Sequence, residues 1–135
     1  MALSSVCIDT SAYSRLMRGD HALRSRIEMA DTVLTPVTVL GELHAGFELG
    51  TRRQENHEVL RAFLDQPGVS IISTTPNIAE RYGRLVKQLR DSGTPIPTND
   101  IWIAAAVLET GSRLLTYDAH FEHVPGVIVE SPGQE

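Results

Sequence analysis

The chain has 135 residues, 41% of them apolar and 21% charged, with a net charge of −5. That length supports one hydrophobic core, expected as a single domain over residues 1–135, and the composition excludes intrinsic disorder. A pI near 5.5 excludes a protein drawn to nucleic acid by its overall field, although acids neutralised locally by a divalent ion escape that limit.

Aromatic residues make up only 5% of the chain, so Val, Ile, Leu and Ala must supply the core. The single cysteine, Cys7, lies in the apolar run Val6-Cys7-Ile8, where a thiol packs as a small hydrophobe, and a reducing cytoplasm is expected. Met1 to Ser5 lacks the basic and long apolar stretches of a secretory leader. The longest apolar run, Ile101 to Leu108, is far short of the ~18 residues of a membrane span, so no membrane partner is expected.

In chain order, the first strand is expected over Ser4 to Asp9, with Thr10 or Ser11 capping a helix that runs to about Arg18. Asp20 starts a second helix, His21 to about Met29, and Thr32 to Thr35 is a short strand before Pro36. Leu40, Leu43 and Phe47 form the stripe of a helix that stops at Gly50. The next helix, Arg52 to about Gln66, turns Val59, Leu60, Phe63 and Leu64 inward and ends at Pro67-Gly68. Val69 to Ser73 is a strand. Thr75-Pro76 opens a long helix striped by Ile78, Tyr82, Leu85, Val86 and Leu89 and closed by Gly93. After the stiff loop Thr94 to Pro97, Thr98 or Asn99 caps a helix from Asp100 to Glu109 that Gly111 stops. Arg113 to Tyr117 and Val127 to Val129 are the last strands. Strands alternating with helices predict an α/β fold with a parallel sheet, whose ligands bind outside the carboxyl ends of the strands.

Four acids fall on that edge. Asp9 ends the first strand, Glu42 lies in the early turns of the helix after the second, Asp100 begins a helix, and Asp118 follows the strand Arg113 to Tyr117. Each has an ordinary role available: Asp100 at a helix start, Asp118 in a turn, Glu42 on a solvated face. Asp9 is harder to explain so, because a carboxylate continuing Val6-Cys7-Ile8 is partly buried. Two carboxylates ~4 Å apart at an effective dielectric near 20 repel by roughly 4 kcal/mol, so their convergence requires a cation. Oxygen ligands without paired Cys or His point to Mg²⁺ or Mn²⁺ rather than Zn²⁺.

The chain resembles the PIN-domain ribonucleases, and among them the VapC toxins of toxin–antitoxin pairs. The resemblance rests on Ile8-Asp9-Thr10-Ser11-Ala12, Gly41-Glu42-Leu43 with Gly46, Thr98-Asn99-Asp100-Ile101-Trp102-Ile103-Ala104-Ala105, and Leu115-Thr116-Tyr117-Asp118 with Phe121 and Val124-Pro125-Gly126, in that order along nearly the whole chain. It implies a PIN-like three-layer α/β/α sandwich with a mostly parallel sheet of four to five strands. It also implies a cytoplasmic, Mg²⁺-dependent endoribonuclease, with Mn²⁺ able to substitute, that hydrolyses RNA by a metal-activated water and leaves a 5′-phosphate and a 3′-hydroxyl. Asp9, Glu42, Asp100 and Asp118 would be the catalytic and metal-binding set. Thr10, Ser11, Asn99 and Thr116 would orient them, or serve as helix caps. The partners implied are an RNA substrate, a VapB-type antitoxin and a second copy of the chain. Leu16, Met17, Leu23 and Phe63 are candidates for an antitoxin groove, or simply for the core.

Three other readings compete. His120 with His123, or His44 with His57, would give metal-independent RNA cleavage, although the five histidines are scattered as surface residues are. An aspartyl phosphotransfer domain would need a second acid where Ser11 stands, and Lys87 is the only lysine. A non-catalytic PIN-like protein-binding module would have no need of an intact quartet of acids.

Overall fold

The computed structural model describes residues 4–134; Met1 to Leu3, part of the stretch read for a leader, and Glu135 lie outside the described residues. The element order is β1 (Ser5–Ile8), α1 (Thr10–Met17), α2 (His21–Glu28), β2 (Thr32–Pro36), α3 (Val37–Leu49), α4 (Arg53–Leu64), β3 (Val69–Ile72), α5 (Pro76–Asp91), α6 (Thr98–Thr110), β4 (Arg113–Leu115), a 3₁₀ turn (Ala119–His123) and β5 (Val129–Glu130). All five strands run parallel in the order β3-β2-β1-β4-β5.

The central strand is the most hydrophobic because both its faces are covered. Val6, Cys7 and Ile8 have no exposed surface, as expected of the middle of a parallel sheet. β2 pairs with one edge of β1 and β4 with the other. The chain therefore steps outward through β2 and β3, then returns past β1 through α5 and α6. Right-handed crossovers in those two directions turn the helices onto opposite faces, which gives three layers. The switch of direction leaves a crevice at the carboxyl ends of β1 and β4.

α6 fills much of one interface. Ile101 and Ile103 through Val107 are all buried, and Gly111, at φ 66°, supplies the left-handed residue that ends the helix. α5 packs along it through Ile78, Leu85 and Leu89, and Tyr82 stacks on Trp102 with ring centroids 3.9 Å apart. No helix among the described residues is long and apolar enough to cross a membrane.

Several boundaries differ from expectation. Asp9, not Thr10 or Ser11, caps α1, accepting from the Ala12 N–H at 2.9 Å, because the cap must precede the first helical residue. α6 already begins at Thr98, with Pro97 before it and no side-chain cap, so neither Thr98 nor Asn99 serves as one. Val59 is 42% exposed, since only Leu60 and Phe63 of the α4 stripe reach the core fully. β4 stops at Leu115, two residues early, because the backbone of Tyr117 turns to bond the Ser11 hydroxyl instead of a strand. β5 starts at Val129 rather than Val127, and the turn Ala119–His123 has no counterpart in the predicted elements.

Candidate functional site

Asp9 sits where β1 ends and α1 begins, and is only 4% exposed. Its Oδ1 accepts from the Ser11 hydroxyl at 2.7 Å and from the Ala12 N–H, and its Oδ2 accepts a short bond from the Thr116 hydroxyl. Burial pushes its carboxyl above the usual range, the three hydrogen bonds oppose that, and the charge of Asp118 adds to it.

Thr116 ties the two central strands together at this end. Besides serving Asp9, its Oγ1 accepts from the Asp118 N–H at 3.0 Å, fixing the backbone that carries Asp118. Ser11 does the same from α1, accepting from the Tyr117 N–H at 3.1 Å. Both hydroxyls therefore hold the β4 end against Asp9.

Asp100, in the first turn of α6, faces Asp118 across the crevice. His120 lies between them, its Nδ1 2.9 Å from Asp100 Oδ2 and 3.1 Å from Asp118 Oδ1. Oxygens of Asp100 and Asp118 and a ring nitrogen of His120 all fall within 4.8 Å of one another. Burial raises the Asp100 carboxyl, as do the charges of Asp118 and Glu42, while the bond from His120 opposes them. His120 is raised in turn, first by that bond to Asp100. Glu42 completes the set from α3, accepting from the Thr10 hydroxyl at 2.7 Å and from the Asn99 amide at 3.5 Å. The four expected acids thus lie in one electrostatic neighbourhood, linked through Asp9 with Asp118, Asp118 with Asp100, and Asp100 with Glu42.

The expected helpers Thr10, Ser11, Asn99 and Thr116 all bond one of these acids, so their hydroxyls and amide go to the site and not to helix caps. His120 is the member that sequence reasoning set aside as a surface residue. Its one signal was the spacing Asp118-Ala119-His120, which lets a residue in a capped turn fold back on the acid that caps it. His44 and His57, the other histidine pair considered, stack on each other at 4.8 Å beside Phe47. Of the groove candidates, Leu16, Met17 and Phe63 line a depression with Arg24, Ile27 and Glu28, whereas Leu23 is wholly buried in the core.

Carboxylates gathered at the switch point of a small parallel sheet place the chain among α/β proteins whose hard oxygen donors could hold a metal ion. The chain belongs to the PIN-domain family, whose model matches residues 6–127. It is a VapC-type member: Ribonuclease VapC4 of Mycobacterium tuberculosis is 30% identical over 99 residues, 69% of this chain and 72% of that protein. Ribonuclease VapC2 of Rickettsia felis is 28% identical over 102 residues, 75% of each. The fold superposes on a chain of the DNA-bound Rickettsia felis VapBC2 crystal structure with a TM-score of 0.86 at 23% identity, covering 93% of this chain and 97% of that one. The DNA-bound VapBC structure from Salmonella typhimurium gives a TM-score of 0.86 at 22% identity, covering 96% and 98%.

Proposed function

We propose that the protein is a Mg²⁺-dependent endoribonuclease and the toxin of a type II toxin–antitoxin pair, built as a single PIN domain. The observation that carries this reading is the gathering of Asp9, Asp100, Asp118 and Glu42 with no arginine or lysine bonded to any of them among the described residues. Burial and the neighbouring carboxylates disfavour the charged forms of Asp9 and Asp100. A hard divalent cation relieves that cost, and carboxylate oxygens are the donors Mg²⁺ and Mn²⁺ prefer. Asp9, Glu42, Asp100 and Asp118 would hold the ion. When bound it supplies a water of lowered pKa and stabilises charge on the departing oxygen of the phosphodiester.

The chain's own residues do the rest. Thr116 and Ser11 aim the Asp9 carboxylate and favour its ionised form against burial by donating to it. Thr10 and Asn99 hold the Glu42 carboxylate toward the crevice. His120, whose Nδ1–H points at Asp100 and Asp118, holds those two carboxylates beside each other.

Relatives bearing the VapC name are called ribonucleases, and the similar crystal structures are VapBC complexes. These names support an RNA substrate and a VapB-type antitoxin for this chain, and by the same reading it is a homodimer in the cytoplasm. The test is to map the RNA ends formed by the purified protein in Mg²⁺. New 5′-phosphate ends that vanish with EDTA and with Asp100→Asn are expected; cleavage that survives both removes the metal-site reading.

A further inference from the structure

A second cavity, of about 500 Å³, opens beside Asp118 on the side away from β1. Its walls are Tyr117 and Asp118 after β4, Glu122 in the 3₁₀ turn, Val129 on β5, and Ser131 and Gln134 in the segment that follows. It shares Asp118 with the acidic site, so whatever occupies it lies next to the group being cut.

Three of the walls, Tyr117, Ser131 and Gln134, are tied down by hydrogen bonds. The Ser131 hydroxyl donates to the Thr116 carbonyl at 2.6 Å, and the Tyr117 hydroxyl donates to the Pro132 carbonyl at 2.7 Å. The Arg15 guanidinium covers the Tyr117 ring at 3.9 Å. In the amide orientation that satisfies both groups, the Gln134 carbonyl accepts from Arg15 Nη1 at 2.9 Å, which leaves its NH₂ free to donate elsewhere. Glu122 is exposed and has no hydrogen-bonded or ionic partner among the described residues.

That chemistry selects the occupant. The walls carry two carboxylates and no lysine or arginine among the described residues, and the adjoining Arg15 is engaged with the Tyr117 ring and the Gln134 carbonyl, so a phosphate is disfavoured there. A flat, neutral ring carrying N–H donors fits instead. Single-stranded RNA is read in this way, by splaying out a base and hydrogen-bonding its Watson–Crick edge. A carboxylate accepts two parallel N–H bonds, and among the four bases only guanine presents two such donors side by side, at N1 and N2, next to an O6 that accepts. Glu122 supplies the acceptor pair and the Gln134 NH₂ the donor.

We infer that this cavity is a guanine-selective base site adjoining the scissile phosphate, with Glu122 as its specificity-determining residue. The inference rests on the ribonuclease reading for its biological use, but the binding it asserts is measurable without cleavage. Calorimetric titration of the full chain with the four nucleoside 5′-monophosphates is the test. GMP is expected to bind about tenfold tighter than UMP or CMP, a margin of the size that charge-assisted hydrogen bonds give. Glu122→Gln is expected to cut that margin to about threefold or less at an unchanged Tm, since Glu122 is exposed. Equal binding of all four, a preference for another base, or a guanine preference that survives Glu122→Gln overturns the inference. End mapping separates it from the parent reading. Metal-dependent RNA cleavage with no GMP preference removes the base site alone, and a GMP preference with no RNA cleavage removes the ribonuclease alone.

Discussion

Two groups of acids flank β4, and they are held in opposite ways. Glu130, on β5, takes two bonds from Arg26 of α2, at 2.6 and 3.2 Å, and one from Arg113 of β4 at 3.3 Å. Those arginines hold its carboxyl below the usual range. Across β4, Asp9 and Asp100 have no arginine and sit above it. The arginine-paired acid fastens an edge strand two residues long to its neighbours. The unpaired acids keep their lone pairs available, at a cost to the fold that a bound cation would offset. Pairing marks the acid used for stability, and its absence sets apart the acids proposed here for chemistry.

The largest expected effect breaks the second group. Asp100→Asn should lower RNA cleavage by about a hundredfold or more while leaving the metal-free Tm no lower than that of the parent, because it removes a charge the fold disfavours. Rates and melting curves on the same preparations decide this, and a variant that both cleaves normally and melts early would merge the two groups. Metal binding itself is next. Saturating Mg²⁺ should stabilise the protein by about 2.7 kcal/mol at a hundredfold excess over Kd, and Asp100→Asn should abolish most of that rise in Tm.

Thr116→Val should weaken Mg²⁺ binding by roughly tenfold, since the hydroxyl donates to Asp9 and receives the Asp118 N–H, whereas Thr116→Ser should restore it. Calorimetry with Mg²⁺ measures both. In the first group, Glu130→Gln should cost about 1 to 2 kcal/mol, read from denaturant unfolding, with little change in Mg²⁺ affinity.

The smallest effect is the sign of the pH dependence. For Asp9, with its folded pKa raised, the contribution to stability is fully present below the unfolded value and lost as pH rises through the folded value. Metal-free Asp9→Asn should therefore gain on the parent as pH rises from about 4 to 7. For Glu130, with its folded pKa lowered, the contribution is present above the unfolded value and lost as pH falls through the folded one, so the deficit of Glu130→Gln should shrink in acid. Melting curves at a series of pH values, taken in EDTA, show whether the two slopes oppose each other.

Much of this was legible because local chemistry and fold agreed. The run Val6-Cys7-Ile8 reads as a strand buried on both faces, and an acid directly after it could hardly be solvated; Asp9 is 4% exposed. The stripe of α5 and its start at Thr75-Pro76 were equally plain, since each is set by residues about one turn apart in the chain. What stayed hidden depends on contacts distant in sequence. Nothing local distinguishes Thr10, whose hydroxyl reaches Glu42 thirty-two positions away, from an ordinary cap. A five-residue 3₁₀ turn is too short to show a period, so His120 gave no sign that it would meet an acid twenty positions earlier. Val59 misled because an apolar residue beside a stripe reads as part of it.

The bond between Thr116 and Asp9 joins residues 107 positions apart, across the pairing of β4 with β1. β1 is made first, but one of its edges stays bare until Arg113 to Leu115 emerge, and loop closure over that distance is slow to be rewarded. A chain still being synthesised therefore carries Asp9 with its local partners Ser11 and Ala12 but without the Thr116 hydroxyl. The free edge of the central strand is covered only when β4 arrives, and the site's far wall, Thr116 to His120, follows β4 directly in the chain.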